Sequence, residues 1–248
     1  MLMPGDLAVI SDIHSNREAL EAVLADVFLQ HVSQIICLGD IVGYASGIRS
    51  CLKIVQELGC PVLLGNHDEA ACLAEVPADF NDAAKAGVLF SARRLKESDR
   101  TWLKSLPLSL KLGRLEFTHA SLAVPRGWHY VINADDALAH FSGQTTPMAF
   151  CGHTHKPGLW WQKTAGSGVS FRTGTNVMAV PQTGRILINA GSVGQPRDGD
   201  PRACYVLYRP DRNSVEFRRV AYDIKRTRRK ILRAGLPRFT AQRLSLGR

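Results

Sequence analysis

No run of apolar residues in this chain of 248 comes near the ~18 that a membrane-spanning helix needs, so none is expected. The first residues, MLMPGDLAVISD, lack a charged segment followed by a long apolar run, so no secretory signal is expected either. Cysteine is sparse, six in all, and no two stand as C-x-x-C. Cys37, Cys51, Cys60, Cys72, Cys151 and Cys204 read as reduced, mostly buried thiols of a cytoplasmic protein, which excludes a disulfide scaffold. Aromatics supply 7% of the residues and charged groups 21%, against 45% apolar, the balance of an ordinary globular chain. Acidic residues are scarce at one end. Residues 209–248 hold thirteen Lys and Arg but three acids, a net +10, while the first 208 residues come to −1. The overall +9 therefore belongs to a basic C-terminal segment.

The first third alternates strand and helix. Leu7–Ile10, Gln34–Leu38 and Pro61–Leu64 are short apolar runs expected as buried strands. Between them, Ala19, Leu20, Val23, Leu24, Val27 and Phe28 trace one helical face, and Ile48–Leu58 a second helix stopped by Gly59 and Pro61. Such β-α-β units imply parallel strands covered by helices. Residues 79–106 read as helices, 108–118 as a hairpin turning at Gly113, and 164–176 as a long turn. Met148–Cys151, Leu159–Trp161, Ile186–Ile188, Ala203–Tyr208 and Val215–Val220 read as strands, and Tyr222–Ala234 as a helix. With no repeat and no linker, a single domain over residues 1–248 is expected, with 209–248 packed on it.

The metal-capable side chains follow the expected strands in five short segments: Ser11-Asp12-Ile13-His14, Gly39-Asp40, Gly65-Asn66-His67-Asp68, Thr118-His119 and Gly152-His153-Thr154-His155. The carboxyl ends of strands form the ligand crevice of α/β sheets. Each segment alone is ordinary turn chemistry; the joint occurrence points to a metal site.

These segments resemble the signature of the calcineurin-like metallophosphoesterase superfamily. Ser11-Asp-Ile-His-Ser-Asn16, Gly39-Asp-Ile-Val-Gly-Tyr44 and Gly191-Ser-Val-Gly-Gln-Pro-Arg-Asp-Gly-Asp-Pro201 are similar to its small, single-domain bacterial phosphodiesterases. The resemblance implies a four-layer α-β-β-α sandwich of two mixed sheets with a two-metal centre between them. One ion would take Asp12, His14 and His155, the other Asn66, His119 and His153, and Asp40 would bridge both. Nitrogen and oxygen ligands without thiolate suit Mn²⁺, Fe, Zn²⁺, Co²⁺ or Ni²⁺, with Mn²⁺ favoured. Two such ions hold a phosphate ester and a hydroxide that attacks phosphorus in line. His67 occupies the position of the proton donor to the leaving group. Asn16, Arg126, Tyr130 and Arg197 are candidate substrate contacts, Asn16 being equally readable as the cap of the first helix.

Gly43 stands where protein phosphatases and symmetric diadenosine tetraphosphatases have a second Asp, and their following Arg-Gly is missing. The expected activity is therefore phosphodiester hydrolysis, with phosphomonoesters, nucleotides or dinucleoside polyphosphates as alternatives. Ala120 replaces a Gly frequent after the histidine in relatives, a change that matters if the position needs positive φ. Two other classes stay open. One is a catalytically weak metal-binding scaffold, and the other is nucleic-acid binding through a run such as Lys225-Arg-Thr-Arg-Arg-Lys230.

Overall fold

The protein is represented by a computed structural model that describes residues 5–248. In chain order the elements are β1 (Leu7–Ile10), α1 (Arg17–Leu29), β2 (Gln34–Cys37), α2 (Ile48–Glu57), α3 (Asn66–Leu73), α4 (Asp82–Ala92) and α5 (Glu97–Lys104). The hairpin β3 (Ser109–Leu112) and β4 (Leu115–Thr118) follows, then α6 (Ala134–Gly143), β5 (Met148–Cys151), β6 (Gly158–Gln162), β7 (Val169–Thr173) and β8 (Asn176–Ala179). The chain ends with β9 (Arg185–Asn189), β10 (Ala203–Arg209), β11 (Ser214–Val220), α7 (Ile224–Arg233) and α8 (Arg238–Arg243).

The strands form two mixed sheets, ordered β2-β1-β10-β11-β8 and β3-β4-β5-β9-β6-β7. In the first only β1 and β2 are parallel; in the second β4, β5 and β9 run parallel. Period-two alternation separates the layers. Leu7 and Val9 of β1 meet Phe117, Phe150, Ile188 and Val206 between the sheets, while Ala8 and Ile10 turn outward to pack under Leu20, Val23 and Leu52 of α1 and α2. On the far side Ala137 and Phe141 of α6 cover Ala149, Cys151 and Leu187. The order is helix, sheet, sheet, helix.

Three expectations change. Pro61–Leu64 is not a strand but one bridge, Cys37 to Val62. Pro61 has no N–H to give, and after Leu63 N–H donates to Cys37 O at 2.9 Å, Leu64 N–H turns to Pro107 O. The expected long turn 164–176 is a hairpin. Phe171 sits opposite Trp160 with ring centroids 4.4 Å apart, and Asn176–Ala179 leaves it to pair with β11. Gly65–Asp68, read as turn chemistry, opens the helix α3, because the Asp68 carboxylate accepts from Gly65 N–H and from Ile41 and Val42 N–H, pinning the helix start to the loop after β2.

The C-terminal segment docks through both kinds of group. Ile231 of α7 and Leu244 just past α8 are core residues, and Glu18 of α1 receives Lys230 together with Arg226 at 3.3 Å. Arg209 pairs with Asp6, and Arg219 with Asp198. Asp26 on α1 accepts from Tyr205 Oη at 2.7 Å and from Arg218 Nε and Nη2 at 2.7 and 2.9 Å. The Arg218 hydrogen bond is the main cause that lowers the Asp26 pKa.

Asp26→Asn should destabilise the protein by about 1–2 kcal/mol at neutral pH, the range for a charge-assisted pair still reached by solvent. A carboxylate with a depressed pKa stabilises above its unfolded pKa and loses that contribution as pH falls through the folded one. Urea denaturation should therefore show the two proteins converging as pH falls below the usual carboxylate range. A gap that persists there would count against the ion-pair explanation.

Candidate metal centre

The five segments meet at one edge of the inter-sheet core. Asp12 and His14 leave the end of β1, Asp40 leaves β2, Asn66 and His67 open α3, His119 follows β4, and His153 and His155 follow β5. All eight side chains are buried. Three groups of them bring their ligand atoms within 4.8 Å of one another: Asp12, His14 and His155; Asp40, His119 and His153; His14, Asp40 and His67.

Backbone carbonyls set the imidazoles. Nδ1 of His14 donates to Val42 O at 3.1 Å, that of His119 to Leu38 O at 3.0 Å, and that of His155 to Gln195 O at 2.6 Å. In the neutral ring this leaves each Nε2 as a bare lone pair. His14 Nε2 and His155 Nε2 nevertheless face each other at 3.1 Å, and Asp12 Oδ1 lies 3.1 Å from the latter. His119 Nε2 faces Asn66 Oδ1 at 3.2 Å and Asp40 Oδ2 at 3.4 Å. His153 Nε2 is buried with no partner. Acceptors converging on acceptors in a dry site need a cation between them. The donor set of nitrogen and oxygen fits a divalent ion, while the nearby Cys151 thiol points to Asn189 instead.

The other oxygen of each aspartate is held by main chain. His153 N–H donates to Asp12 Oδ2 at 3.0 Å, and His67 N–H to Asp40 Oδ1 at 2.8 Å. Asp12, His14, Asp40, His153 and His155 all have φ between 48° and 66°. This left-handed backbone is one that Asp and His tolerate better than most residues but that still costs stability. Gly152 cannot carry a side chain, since a Cβ there would lie 2.0 Å from Ser11 Oγ and 2.4 Å from Asp12 Oδ2. Ala120 does not need the glycine of relatives, because its φ is negative.

Charge follows geometry. Burial opposes ionisation of Asp40, yet His119, His67 and His14 hold its carboxyl well below the usual range. Burial alone would lower His119, but Asp40, with Asp12 and Asp68, raises it to about 9. This ring therefore holds a proton at neutral pH when no metal ion is bound. Burial pushes His153 down to about 3, and both His14 and His155 below the usual value, so those rings offer lone pairs at neutral pH.

The expected substrate contacts divide. Asn16 is the cap of α1: Oδ1 accepts from Ala19 N–H at 3.2 Å and Thr227 Oγ1 at 3.1 Å, and Nδ2 donates to Gly194 O at 2.8 Å. Its amide is spent on the fold, which removes it as a substrate contact. Arg126 pairs with Glu69 at 3.0 Å on the surface and does not line the cleft. Tyr130 does line it, stacked on His153 at 4.1 Å, and Arg197 reaches its edge through Tyr44 Oη at 3.2 Å. The cleft holds about 280 Å³ beside Asn66, His67 and His153.

Trp128, which the sequence places with Arg126 and Tyr130 as a frame for phosphate and leaving group, does line the cleft; sequence reasoning gave Tyr44 no role, although it ends the Gly39–Tyr44 string, and missed Phe80, which carries no motif. It also missed Asn189, whose Nδ2 donates to Gly152 O at 2.6 Å and Thr154 Oγ1 at 3.0 Å and so fixes the turn bearing both terminal histidines. Its place at the end of β9, one more strand end, was the available signal.

Comparison with known proteins agrees with this geometry. Residues 6–213 match the calcineurin-like phosphoesterase superfamily domain. The crystal structure of a metallophosphoesterase from Sphaerobacter thermophilus is similar at a TM-score of 0.87 and 39% identity, covering 98% of this chain and 99% of that one. An uncharacterized protein of Methanocaldococcus jannaschii is 35% identical over 98% of both chains. A hypothetical protein from Pyrococcus horikoshii has the same fold, with a TM-score of 0.78 at 20% identity over 98% of both chains.

Metal uptake at pH 7 should expel the His119 proton. Calorimetric titration of metal-stripped protein in buffers of different ionisation enthalpy should give about one proton released per chain, and affinity should fall as pH is lowered. Uptake that releases no proton would contradict the charge assignment.

Proposed function

Because this chain belongs to the calcineurin-like phosphoesterase superfamily, we propose that it is a two-metal phosphoric ester hydrolase with a preference for diesters. The observation that carries the reading is the set of buried lone pairs facing one another, His14 against His155 and His119 against Asn66 and Asp40. In this reading Asp12, His14 and His155 hold one ion, Asn66, His119 and His153 the other, and Asp40 both. Mn²⁺ is among the ions that suit a thiolate-free set of nitrogen and oxygen ligands. When bound, the ions polarise the phosphoryl oxygens and lower the pKa of a water.

The chain's own groups do the rest. Unlike His14, His119 and His155, His67 has no carbonyl to fix its tautomer, and its Nδ1 is buried without a partner. Such a ring can both hold and give up a proton. It packs between Tyr44 and Phe80, with ring centroids at 4.7 and 4.8 Å, which keeps water from it. Burial first, and Arg197 next among the causes that lower it, bring the His67 pKa down to about 4, so the resting ring is neutral. A phosphate bound beside it raises that pKa. The ring then holds a proton only while substrate is present and donates it to the leaving oxygen.

The diester preference rests on Gly43. It has φ 105°, and a Cβ there would lie 2.7 Å from His67 Nδ1. A carboxylate at this position is therefore sterically barred, and with it the His–Asp pair expected of protein phosphatases. The aromatic walls Tyr44, Phe80, Trp128 and Tyr130 suit two ester groups better than a bare dianion.

We propose further that residues 1–248 act as one domain. A cytoplasmic location is consistent with six free cysteines and with the absence, among the described residues, of any helix long and apolar enough to cross a membrane. Of the thirteen cations in residues 209–248, Arg209, Arg218, Arg219, Arg226 and Lys230 are taken up by carboxylates, and nucleic-acid binding would fall to the others, such as Lys225, Arg228 and Arg229.

Metal-stripped protein should hydrolyse bis-p-nitrophenyl phosphate faster than p-nitrophenyl phosphate once Mn²⁺ is restored. Faster mono-ester cleavage would move the reading to a phosphatase, and no cleavage of either with any divalent ion would favour a binding scaffold. His67→Ala should lower turnover of alkyl esters about 10²–10⁴-fold, and of p-nitrophenyl esters less, because that leaving group needs little protonation. Both ions should remain, as counted by elemental analysis. Loss of an ion would make His67 a ligand.

A further inference from the structure

Between buried Leu122 and buried Val131, residues 123–129 form a loop with no buried member. Its centre is one 3-10 turn, Pro125–Gly127, closed by Gly127 N–H donating to Val124 O at 2.8 Å. Trp128 follows with φ 51°, a left-handed conformation that bulky side chains seldom adopt. A loop with so little packing holds a strained residue in place only if a specific contact fixes it.

The polar side chains of this loop that reach another element both end on one carboxylate. Trp128 Nε1 donates to Glu69 Oε2 at 3.0 Å, and Arg126 Nε pairs with Glu69 Oε1 at 3.0 Å. Glu69 lies on α3, two residues after His67, and its side chain is 19% exposed. Arg126 is 65% exposed, so that ion pair contributes little. The indole bond is charge-assisted and partly buried, which makes it the stronger tie.

Glu69 does not itself line the cleft. Trp128, Gly127 and Tyr130 do, together with Asn66 and His67 of α3. The Trp128 ring stands edge-on to His119 with centroids 5.8 Å apart, and Tyr130 stacks on His153. The aromatic wall thus rests on two of the candidate metal ligands. Glu69 joins it to the helix that carries a third, Asn66, and the proton donor His67.

We propose that Glu69 is a positioning residue. By holding the Trp128 indole it fixes the aromatic wall relative to α3, and so sets the preference for substrates whose ester group presents an apolar or aromatic face. It touches neither substrate nor ion. The inference rests on the phosphoesterase reading and adds to it a residue that acts on ester-group specificity through another side chain.

Phosphonates bound to Mn²⁺-loaded protein test it without turnover. By calorimetry, phenylphosphonate should bind about tenfold tighter than methylphosphonate, the worth of partly burying one ring. Trp128→Ala should bring that ratio close to one. Glu69→Ala should lower it severalfold through weaker phenylphosphonate binding, at constant metal content. Glu69→Gln, whose amide oxygen still accepts from the indole, should retain most of it. Adding Glu69→Ala to Trp128→Ala should change the ratio no further. A wild-type ratio near one, a ratio that survives Trp128→Ala or Glu69→Ala, or a loss that falls equally on both phosphonates would overturn the positioning role and leave the phosphoesterase reading standing. Failure of the wild-type protein to bind either phosphonate would remove both.

Discussion

Three imidazoles with their outer nitrogens tied to backbone carbonyls have no freedom to turn their lone pairs away from one another. That constraint organises the rest of the molecule. Val42, Leu38 and Gln195 supply the carbonyls, the first two from the segment just after β2 and the third from the loop after β9. The loops can hold those positions because their strands are locked between two hydrophobic layers. The five ligand-bearing residues at positive φ are a local cost, of order 1 kcal/mol or more each, that a loosely packed edge could not sustain. The core stabilises a conformation that the site alone would relax.

The same constraint explains how the site treats charge. Two buried aspartates remain ionised because histidines surround them, and one of those histidines keeps a proton as a result. Divalent ions would replace that proton and reverse the sign of the local charge, which is what makes the place attractive to a phosphate ester. The formal +9 of the chain has little part in this. Four of the thirteen C-terminal cations, Arg218, Arg219, Arg226 and Lys230, fasten α7 and β11 to α1 and to the loop at Asp198. The sequence places that segment far from the ligands along the chain, yet Arg243 returns to Tyr44 through the packing of α8.

Much of the fold and the candidate site was legible because it is local. Strands β1, β2, β5 and β9 to β11 are apolar runs with the right period, and every ligand candidate except Asn66 follows a strand within a few residues. What could not be read depends on pairs distant in sequence. Pro61–Leu64 looks like its neighbours but loses a donor to Pro61 and another to Pro107. The Val169–Thr173 strand lies in a turn-rich context and is fixed only by its partner β6. Asn16 was equally consistent with capping and with substrate contact until Thr227, 211 residues away, occupied it. The Tyr44–Arg197 contact joins two of the quoted strings across 153 residues, and neither string shows that they meet.

The central claim is that Asp40 and the converging histidines hold two ions side by side. Electron paramagnetic resonance of protein loaded with two equivalents of Mn²⁺ per chain tests it directly. A bridged pair predicts an exchange-coupled multiline spectrum that Asp40→Asn abolishes. A spectrum of isolated Mn²⁺ alone at full loading would contradict the account.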